Sequence, residues 1–142
     1  MQENHPGLFQ IYSIQKIMSS YCRFVDTKNW KELQALFSEN ASMIFRDAQG
    51  NILYDFDNPA LLVRSAGDAI GKAVTLHHLH NPEIDLLNDS EAEGVWAMED
   101  RFYLPANAPH PFFHGAGYYH VRFMFTADHW LINELELVRL RL

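Results

Sequence analysis

The sequence is poor in cysteine, because Cys22 is the only one among its 142 residues. A single cysteine excludes an internal disulfide, and this rarity favours the reducing cytoplasm as the compartment. Cys22 falls within a helical apolar pattern, and no neighbouring feature marks it as a nucleophile. We therefore predict that it is a small residue of the core.

Long apolar runs are also missing, since none approaches the roughly 18 residues that a membrane helix needs. Residues 1–6 are polar and acidic, and no signal-peptide pattern follows them. No glycine-rich phosphate loop, serine nucleophile elbow or CxxC pair is present, which weakens kinase, hydrolase and dinucleotide-dependent interpretations. We expect a soluble protein that has no membrane partner.

Positive charge is scarce, because 11 Lys and Arg stand against 18 Asp and Glu, for a formal net charge of −7. This balance argues against nucleic acid as a partner, since phosphates bind to basic surfaces. Aromatic side chains are abundant, with ten Phe, six Tyr and three Trp. They fit either a simple aromatic core or the lining of an apolar pocket.

The order of the elements predicts an α+β fold in a single domain, residues 1–142. Apolar periodicity predicts helices over Leu8–Val25, Asn29–Phe37 and Ala60–Ala69. Strands are predicted over Ala41–Arg46, Ile52–Phe56, Val74–Leu87, Ala92–Leu104, Phe113–Thr126 and Trp130–Leu140. A strongly bent antiparallel sheet with helices on its concave side would enclose one pocket.

Local patterns add detail to these elements. Asn29 followed by Glu32 is a capping-box pattern for the second helix. Pro82 inside a strand implies a sheet edge or a bulge. Glycines inside the strand 113–126 indicate a bulge or a close backbone approach. In the last strand, polar residues alternate with the leucines Leu131, Leu135 and Leu137.

Three histidines within four residues, His77, His78 and His80, raise the question of a metal site. Alternation along a strand places His77 on one face and the other two on the opposite face. A metal needs three or four convergent ligands, and the nearby acidic residues form no recognised spacing. We therefore prefer one functional histidine and two on a solvated face, and we predict no metal.

Tyr21 and Asp26 stand at the end of the first predicted helix. A carboxylate there is disfavoured by the helix dipole, by about 0.3–1 kcal/mol. Asp26 either caps the next helix, a task for which Asn29 is better placed, or bonds to another partner. If that partner is an imidazole, Asp26 would fix its tautomer and raise its basicity.

Asp100 shares a face of its predicted strand with apolar residues, Trp96, Met98 and Phe102. A buried carboxyl costs several kcal/mol if it has no partner, so it becomes protonated or pairs its charge. Two interpretations stay open for Asp100. It is either a catalytic group at the mouth of a pocket or an ion-pair partner of an arginine such as Arg122 or Arg139.

Taken in order, these motifs resemble the SnoaL-like branch of the nuclear-transport-factor-2-like superfamily, which includes scytalone dehydratase, bile-acid 7α-dehydratase and ketosteroid isomerase. The resemblance spans nearly the whole chain. The matching segments are 21–26 with Trp30, Leu33, Leu36 and Phe37, then 75–77 with 81–84, 92–96, 115–119, and 130–132 with Arg139.

The resemblance implies a cone-shaped α+β barrel, with three helices on a curved, mainly antiparallel sheet around a deep pocket. It implies catalytic roles for Tyr21, Asp26, His77 and Asp100, with the doubled histidine leaving His78 open in place of His77. We expect substrate contacts from six further side chains, Trp96, Met98, Phe102, Tyr118, His78 and Arg139. Family members are often dimers or trimers, so the resemblance also predicts a homodimer or homotrimer.

The function implied by the resemblance is that of a lyase or isomerase without a cofactor. It would use His/Asp acid–base chemistry on a small apolar molecule of polycyclic, polyketide or steroid type. Two alternatives stay open: a noncatalytic binding or oligomerisation module of the same fold, and a metal-dependent enzyme that uses the clustered histidines. Fold alone does not choose among them. A His77–Asp26 distance beyond hydrogen-bond reach would favour the noncatalytic module.

Overall fold

A computed structural model describes residues 7–142 as three helices and six strands. The helices are α1 (Leu8–Asp26), α2 (Trp30–Gln34) and α3 (Pro59–Ile70). The strands are β1 (Phe37–Arg46), β2 (Ile52–Phe56), β3 (Val74–Leu86), β4 (Glu91–Tyr103), β5 (Phe112–Thr126) and β6 (His129–Arg141). Within this part of the chain, no helix is both long enough and apolar enough to cross a membrane.

The strands form one sheet in the order β2-β1-β6-β5-β4-β3. The strands β1 and β6 run parallel, and the other neighbours are antiparallel. The sheet is curved, and α1 and α3 pack against its inner face, where they contact β3 and β1 respectively. The predicted α+β architecture is therefore confirmed.

The core lies between α1 and the inner face of the sheet. Helical spacing places five residues of α1 on the buried side, Ile14, Met18, Tyr21, Cys22 and Val25. Cys22 is a buried core residue, as predicted. Burial raises the pKa of its thiol to about 12, so this sulfur stays protonated and is a poor nucleophile at neutral pH.

The second helix is shorter than predicted, because its expected last residues belong to the sheet. The Leu36 carbonyl accepts a hydrogen bond of 2.8 Å from the Ile132 amide, and Phe37 pairs with Ile132 as the first residue of β1. The predicted capping box is also wrong. The Asn29 side chain makes no cap bond to α2 and donates instead to the Thr27 hydroxyl at 2.7 Å.

Bulges in two strands set which side chains face inward. In β3 the register shifts between His80 and Glu83, where Asn81 has a φ of 45°, so the bulge predicted from Pro82 is confirmed at this edge strand. In β6 an unpredicted bulge lies at Asn133, where the β5 partners shift register. The buried residues of β6 are therefore even-numbered before the bulge, at Trp130 and Ile132, and odd-numbered after it, at Leu135 and Leu137. The predicted single alternation that included Leu131 is wrong.

Candidate active site

A cavity of about 220 Å³ lies between the inner face of the sheet, α1 and α3. Most of its wall is apolar. Polar groups gather at one end, from Tyr21, His77, Asp100, Tyr119 and Arg139. A larger groove of about 660 Å³ is lined by acidic outward-facing residues such as Glu83 and Glu134, and none of these five polar groups lines it. The smaller cavity is therefore the one that holds candidate chemistry.

Asp26 is the last residue of α1, and its carboxylate receives three hydrogen bonds from the start of β3. The His77 ring nitrogen Nδ1 lies 2.6 Å from Oδ1, the His77 backbone amide donates to Oδ2 at 2.8 Å, and the Thr75 hydroxyl donates to Oδ1 at 2.9 Å. These donors offset the unfavourable dipole at the end of the helix. The imidazole partner considered for Asp26 is therefore present.

This contact defines the chemistry of the His77 ring. A carboxylate only accepts hydrogen bonds, so we assign the ring proton to Nδ1 and leave a lone pair on Nε2. The His77 side chain is only 8% exposed and lines the cavity. Its Nε2 lies 3.9 Å from Oδ2 of Asp100. The ring thus stands between two carboxyl groups, and its contact with Asp26 fixes its orientation.

Asp100 and Arg139 form a bidentate ion pair at the same end of the cavity. Arg139 Nη1 donates to Asp100 Oδ1 at 3.0 Å, and Nη2 donates to Oδ2 at 2.7 Å. Burial alone would lower the pKa of Arg139, but the hydrogen bonds and charge of Asp100 outweigh it and raise this pKa. The ion pair with Arg139, one of the two interpretations of Asp100, is therefore present.

Gly115 makes room for this ion pair. A Cβ atom at this position would overlap both the Arg139 guanidinium and the Asp100 carboxylate, and one at Gly117 would overlap the Val138 carbonyl. The close backbone approach predicted from the glycines is therefore confirmed. Any side chain at residue 115 would therefore require the Arg139 and Asp100 side chains to shift.

Tyr21 and Tyr119 complete the polar end of the cavity. Their rings meet edge to face with centroids 5.7 Å apart. Burial raises the pKa of both phenols well above the usual value, so both keep their protons at neutral pH. Tyr21 can therefore act as a hydrogen-bond donor toward an oxygen in the cavity.

The three clustered histidines do not converge. His77 turns inward, whereas His78 and His80 lie on the exposed outer face, where His80 Nε2 is 3.3 Å from a Glu99 carboxylate oxygen. Among residues 7–142, no three His, Cys, Asp or Glu side chains are arranged to hold a metal ion.

Comparison with known proteins places this arrangement in a family. The sequence model of the SnoaL-like domain matches residues 8–136. The chain belongs to the SnoaL-like family. It is 22% identical over 133 residues to "Probable cyclase FGR4" of Gibberella zeae, and the match covers 89% of each chain.

Solved structures share the fold of this SnoaL-like protein. "Putative Scytalone Dehydratase" from Novosphingobium aromaticivorans aligns with a TM-score of 0.80 at 20% identity, covering 94% of this chain and 85% of the other. Hexachlorocyclohexane dehydrochlorinase LinA-type3 from Novosphingobium barchaimii aligns with a TM-score of 0.76 at 16% identity, covering 93% and 87%. These likenesses, both below 25% identity, support the α+β fold of the chain.

The cavity of this SnoaL-like protein that contains His77 brings together some of the predicted site residues. Tyr21, His77 and Asp100 line it. Asp26 is not part of the cavity wall but is hydrogen-bonded to the His77 ring. Of the expected substrate contacts, Phe102 and Arg139 also line it.

Four expected substrate contacts lie elsewhere. Trp96 and Met98 share the inner face with Asp100 but are buried in the core, away from the cavity wall. Tyr118 and His78 lie on the outer face of the sheet and are exposed. Tyr119 lines the cavity in place of Tyr118. Tyr119 lies four residues after Gly115 and two after Gly117, so all three residues are on the same face of β5. The close contacts of the two glycines mark that face as the inner one, and this is the feature of the sequence that could have identified Tyr119.

Proposed function

We propose that this protein is a lyase or isomerase that needs no cofactor and acts on a small apolar ketone. The observation that carries the proposal is the His77–Asp26 hydrogen bond of 2.6 Å at the polar end of an otherwise apolar cavity. A separation beyond hydrogen-bond reach would have supported a noncatalytic binding module. The short contact supports an oriented general base instead.

In the proposed reaction, His77 Nε2 removes a proton from the carbon next to the substrate carbonyl. The electrons of the C–H bond form an enolate, and the Asp26 carboxylate stabilises the resulting imidazolium through Nδ1–H. The imidazolium then returns its proton to a hydroxyl on the β carbon. That C–O bond breaks, water leaves, and an enone remains; return of the proton to another carbon gives an isomer instead.

Charge that develops on the carbonyl oxygen needs a donor in the same cavity. Tyr21 supplies a phenol that keeps its proton, and Arg139 supplies a positive charge beside it. Donors fixed in a site of low dielectric stabilise such charge more than water does. We assign Asp100 to hold Arg139 in place and to stabilise, through its oxygen 3.9 Å from Nε2, the imidazolium that forms when His77 accepts the substrate proton.

The size of the cavity limits the range of possible substrates. Its volume of about 220 Å³ lies below the about 300–1,000 Å³ of typical small-molecule sites. Among the polycyclic, polyketide and steroid types that the resemblance implies, we infer a reacting core of one or two rings rather than four. The homo-oligomer also remains a prediction. The half-exposed Tyr118 on the outer face of the sheet offers apolar contact area for such an interface.

The test of the proposed function is turnover of one- and two-ring β-hydroxy ketones in D₂O, followed by NMR. We expect enone formation from at least one member of the panel. We also expect exchange of the proton next to the carbonyl in analogues that lack the hydroxyl, because the base acts before the leaving group departs. Absence of both elimination and exchange across the panel would contradict the proposal.

Thr75 is a positioning residue in this scheme, since it bonds to Asp26 but does not line the cavity. Thr75→Val removes the donor at nearly constant shape. We expect kcat to fall about tenfold, on the order of one hydrogen bond to a charged group, with KM unchanged. Thr75→Ser keeps the hydroxyl and should restore most of the rate. Equal rates in the two variants would show that the hydroxyl does not support Asp26.

A further inference from the structure

A second cavity of about 270 Å³ adjoins the one that holds His77. Four residues form walls of both cavities, Phe45, Tyr54, Phe102 and Arg139. A molecule bound beside His77 therefore borders the second cavity across these shared side chains. We call the cavity with His77 the inner cavity and the adjoining one the outer cavity.

The outer cavity is mainly apolar, and the side chains in its wall that carry polar groups are Arg139 and Tyr54. Leu53, Phe113 and Leu142 line it without lining the inner cavity. Its charged residue is Arg139, whose Nη1 and Nη2 both donate to Asp100. Its remaining walls are the aromatic rings shared with the inner cavity. A phosphate or carboxylate would find little here to pair its charge, whereas a hydrocarbon would replace water along most of the wall.

The shared aromatic wall is held in place by its own packing. Tyr54 stacks on Phe56 with centroids 5.7 Å apart and an interplanar angle of 18°, and Phe45 meets both rings edge to face at 6.3 Å. Leu53 remains 50% exposed at the edge strand β2, beside these rings. Apolar surface of this kind, continuous with a candidate active site, is typical of a ligand subsite.

We propose that the outer cavity is a binding subsite for an uncharged apolar arm of the substrate. The reacting carbonyl core then occupies the inner cavity, and an alkyl or aryl chain attached to it extends between Phe45 and Phe102 toward Leu53 and Phe113. This inference rests on the proposed function for the identity of the core. The affinity of the arm depends on the outer cavity alone.

The test uses unbranched phenyl ketones of increasing chain length, from acetophenone to octanophenone, with binding measured by calorimetry. In the wild-type protein we expect the affinity to rise by about fourfold for each added methylene that enters the outer cavity. In Leu53→Asn and in Phe113→Ser, this gain per methylene should largely disappear. The affinity for acetophenone should stay the same, because neither residue lines the inner cavity.

The matched control is Leu87→Asn, since Leu87 is 47% exposed, close to the 50% of Leu53, and lines neither cavity. This variant should keep the wild-type gain per methylene. No measurable binding of octanophenone to the wild type, or the same gain per methylene in Leu53→Asn and Phe113→Ser as in Leu87→Asn, would overturn the subsite. Binding needs no turnover, so a panel of inert ketones that still shows the chain-length effect would reject only the proposed function.

Discussion

Replacing His77 with alanine is expected to lower kcat/KM for an eliminated ketone by about 10²–10⁴-fold, the usual contribution of a general base. The residue lines the cavity with one ring nitrogen fixed by Asp26 and the other left to accept a proton. Removing the ring deletes the proposed base but leaves Tyr21 and Arg139. Substrate should therefore still bind, and the loss should fall mainly on kcat.

Asp26→Asn should cause a comparable loss for a different reason. The carboxylate accepts from the His77 ring, the His77 amide and the Thr75 hydroxyl, all of which are donors. An asparagine offers one accepting oxygen and one donating NH₂ group, so it cannot satisfy all three. Its NH₂ group would favour the tautomer with the proton on Nε2, which can no longer accept a proton from substrate.

His78→Ala and His80→Ala are the controls, because both side chains lie on the exposed outer face within three residues of His77. Neither should change kcat/KM by more than about twofold, the effect of a surface change below about 0.5 kcal/mol. Turnover by steady-state absorbance of the enone compares all four variants. If His77→Ala and Asp26→Asn keep the wild-type rate, the acid–base mechanism is wrong.

The family resemblance implied the pairing of Asp26 with His77, and two local patterns are consistent with it. The periodicity of α1 ends at Asp26, and alternation in β3 separates His77 from His78. Neither pattern depends on distant packing. Thr75, the third donor, was not predicted, although it shares the inward parity of His77.

Alternation selected the correct face of β4 but not the position along it. Trp96, Met98 and Asp100 all face inward, yet each pair of residues advances about 7 Å along a strand. The cavity reaches Asp100 and Phe102 and leaves the other two in the core. Where a cavity ends along a strand depends on what packs over it, and periodicity carries no information about that.

The rest of the wall comes from contacts that are distant in sequence. Phe56 on β2 and Leu62 on α3 line the cavity, because α3 packs across β1 on the inner face. The bulge at Asn133 likewise cannot be predicted from the pattern of apolar residues in the sequence. It changes the parity of β6, so Trp130 and Arg139 both face inward although an uninterrupted strand of that length would separate them.

Arg139→Met is expected to destabilise the protein by about 3–5 kcal/mol, because it leaves the Asp100 carboxylate buried without its partner. Asp100 is 1% exposed, and the Arg139 side chain is 12% exposed, so solvent screens the pair weakly. The measurement is urea unfolding, with the midpoint shifting and the slope unchanged. Replacing both residues of the ion pair should lower the free energy of unfolding far less than replacing only one of them.

The double variant Asp100→Leu with Arg139→Met provides that comparison. Replacing a buried ion pair with apolar groups of similar volume is often neutral or stabilising, so the double variant should recover most of the stability lost in Arg139→Met. It should nevertheless remain a poor catalyst, since the charge beside Tyr21 and the oxygen near His77 Nε2 are both gone. Stability that returns without activity would assign the ion pair to the chemistry of the cavity. Activity that returns with stability would reduce Asp100 and Arg139 to a structural pair and leave Tyr21 as the donor for the developing oxyanion.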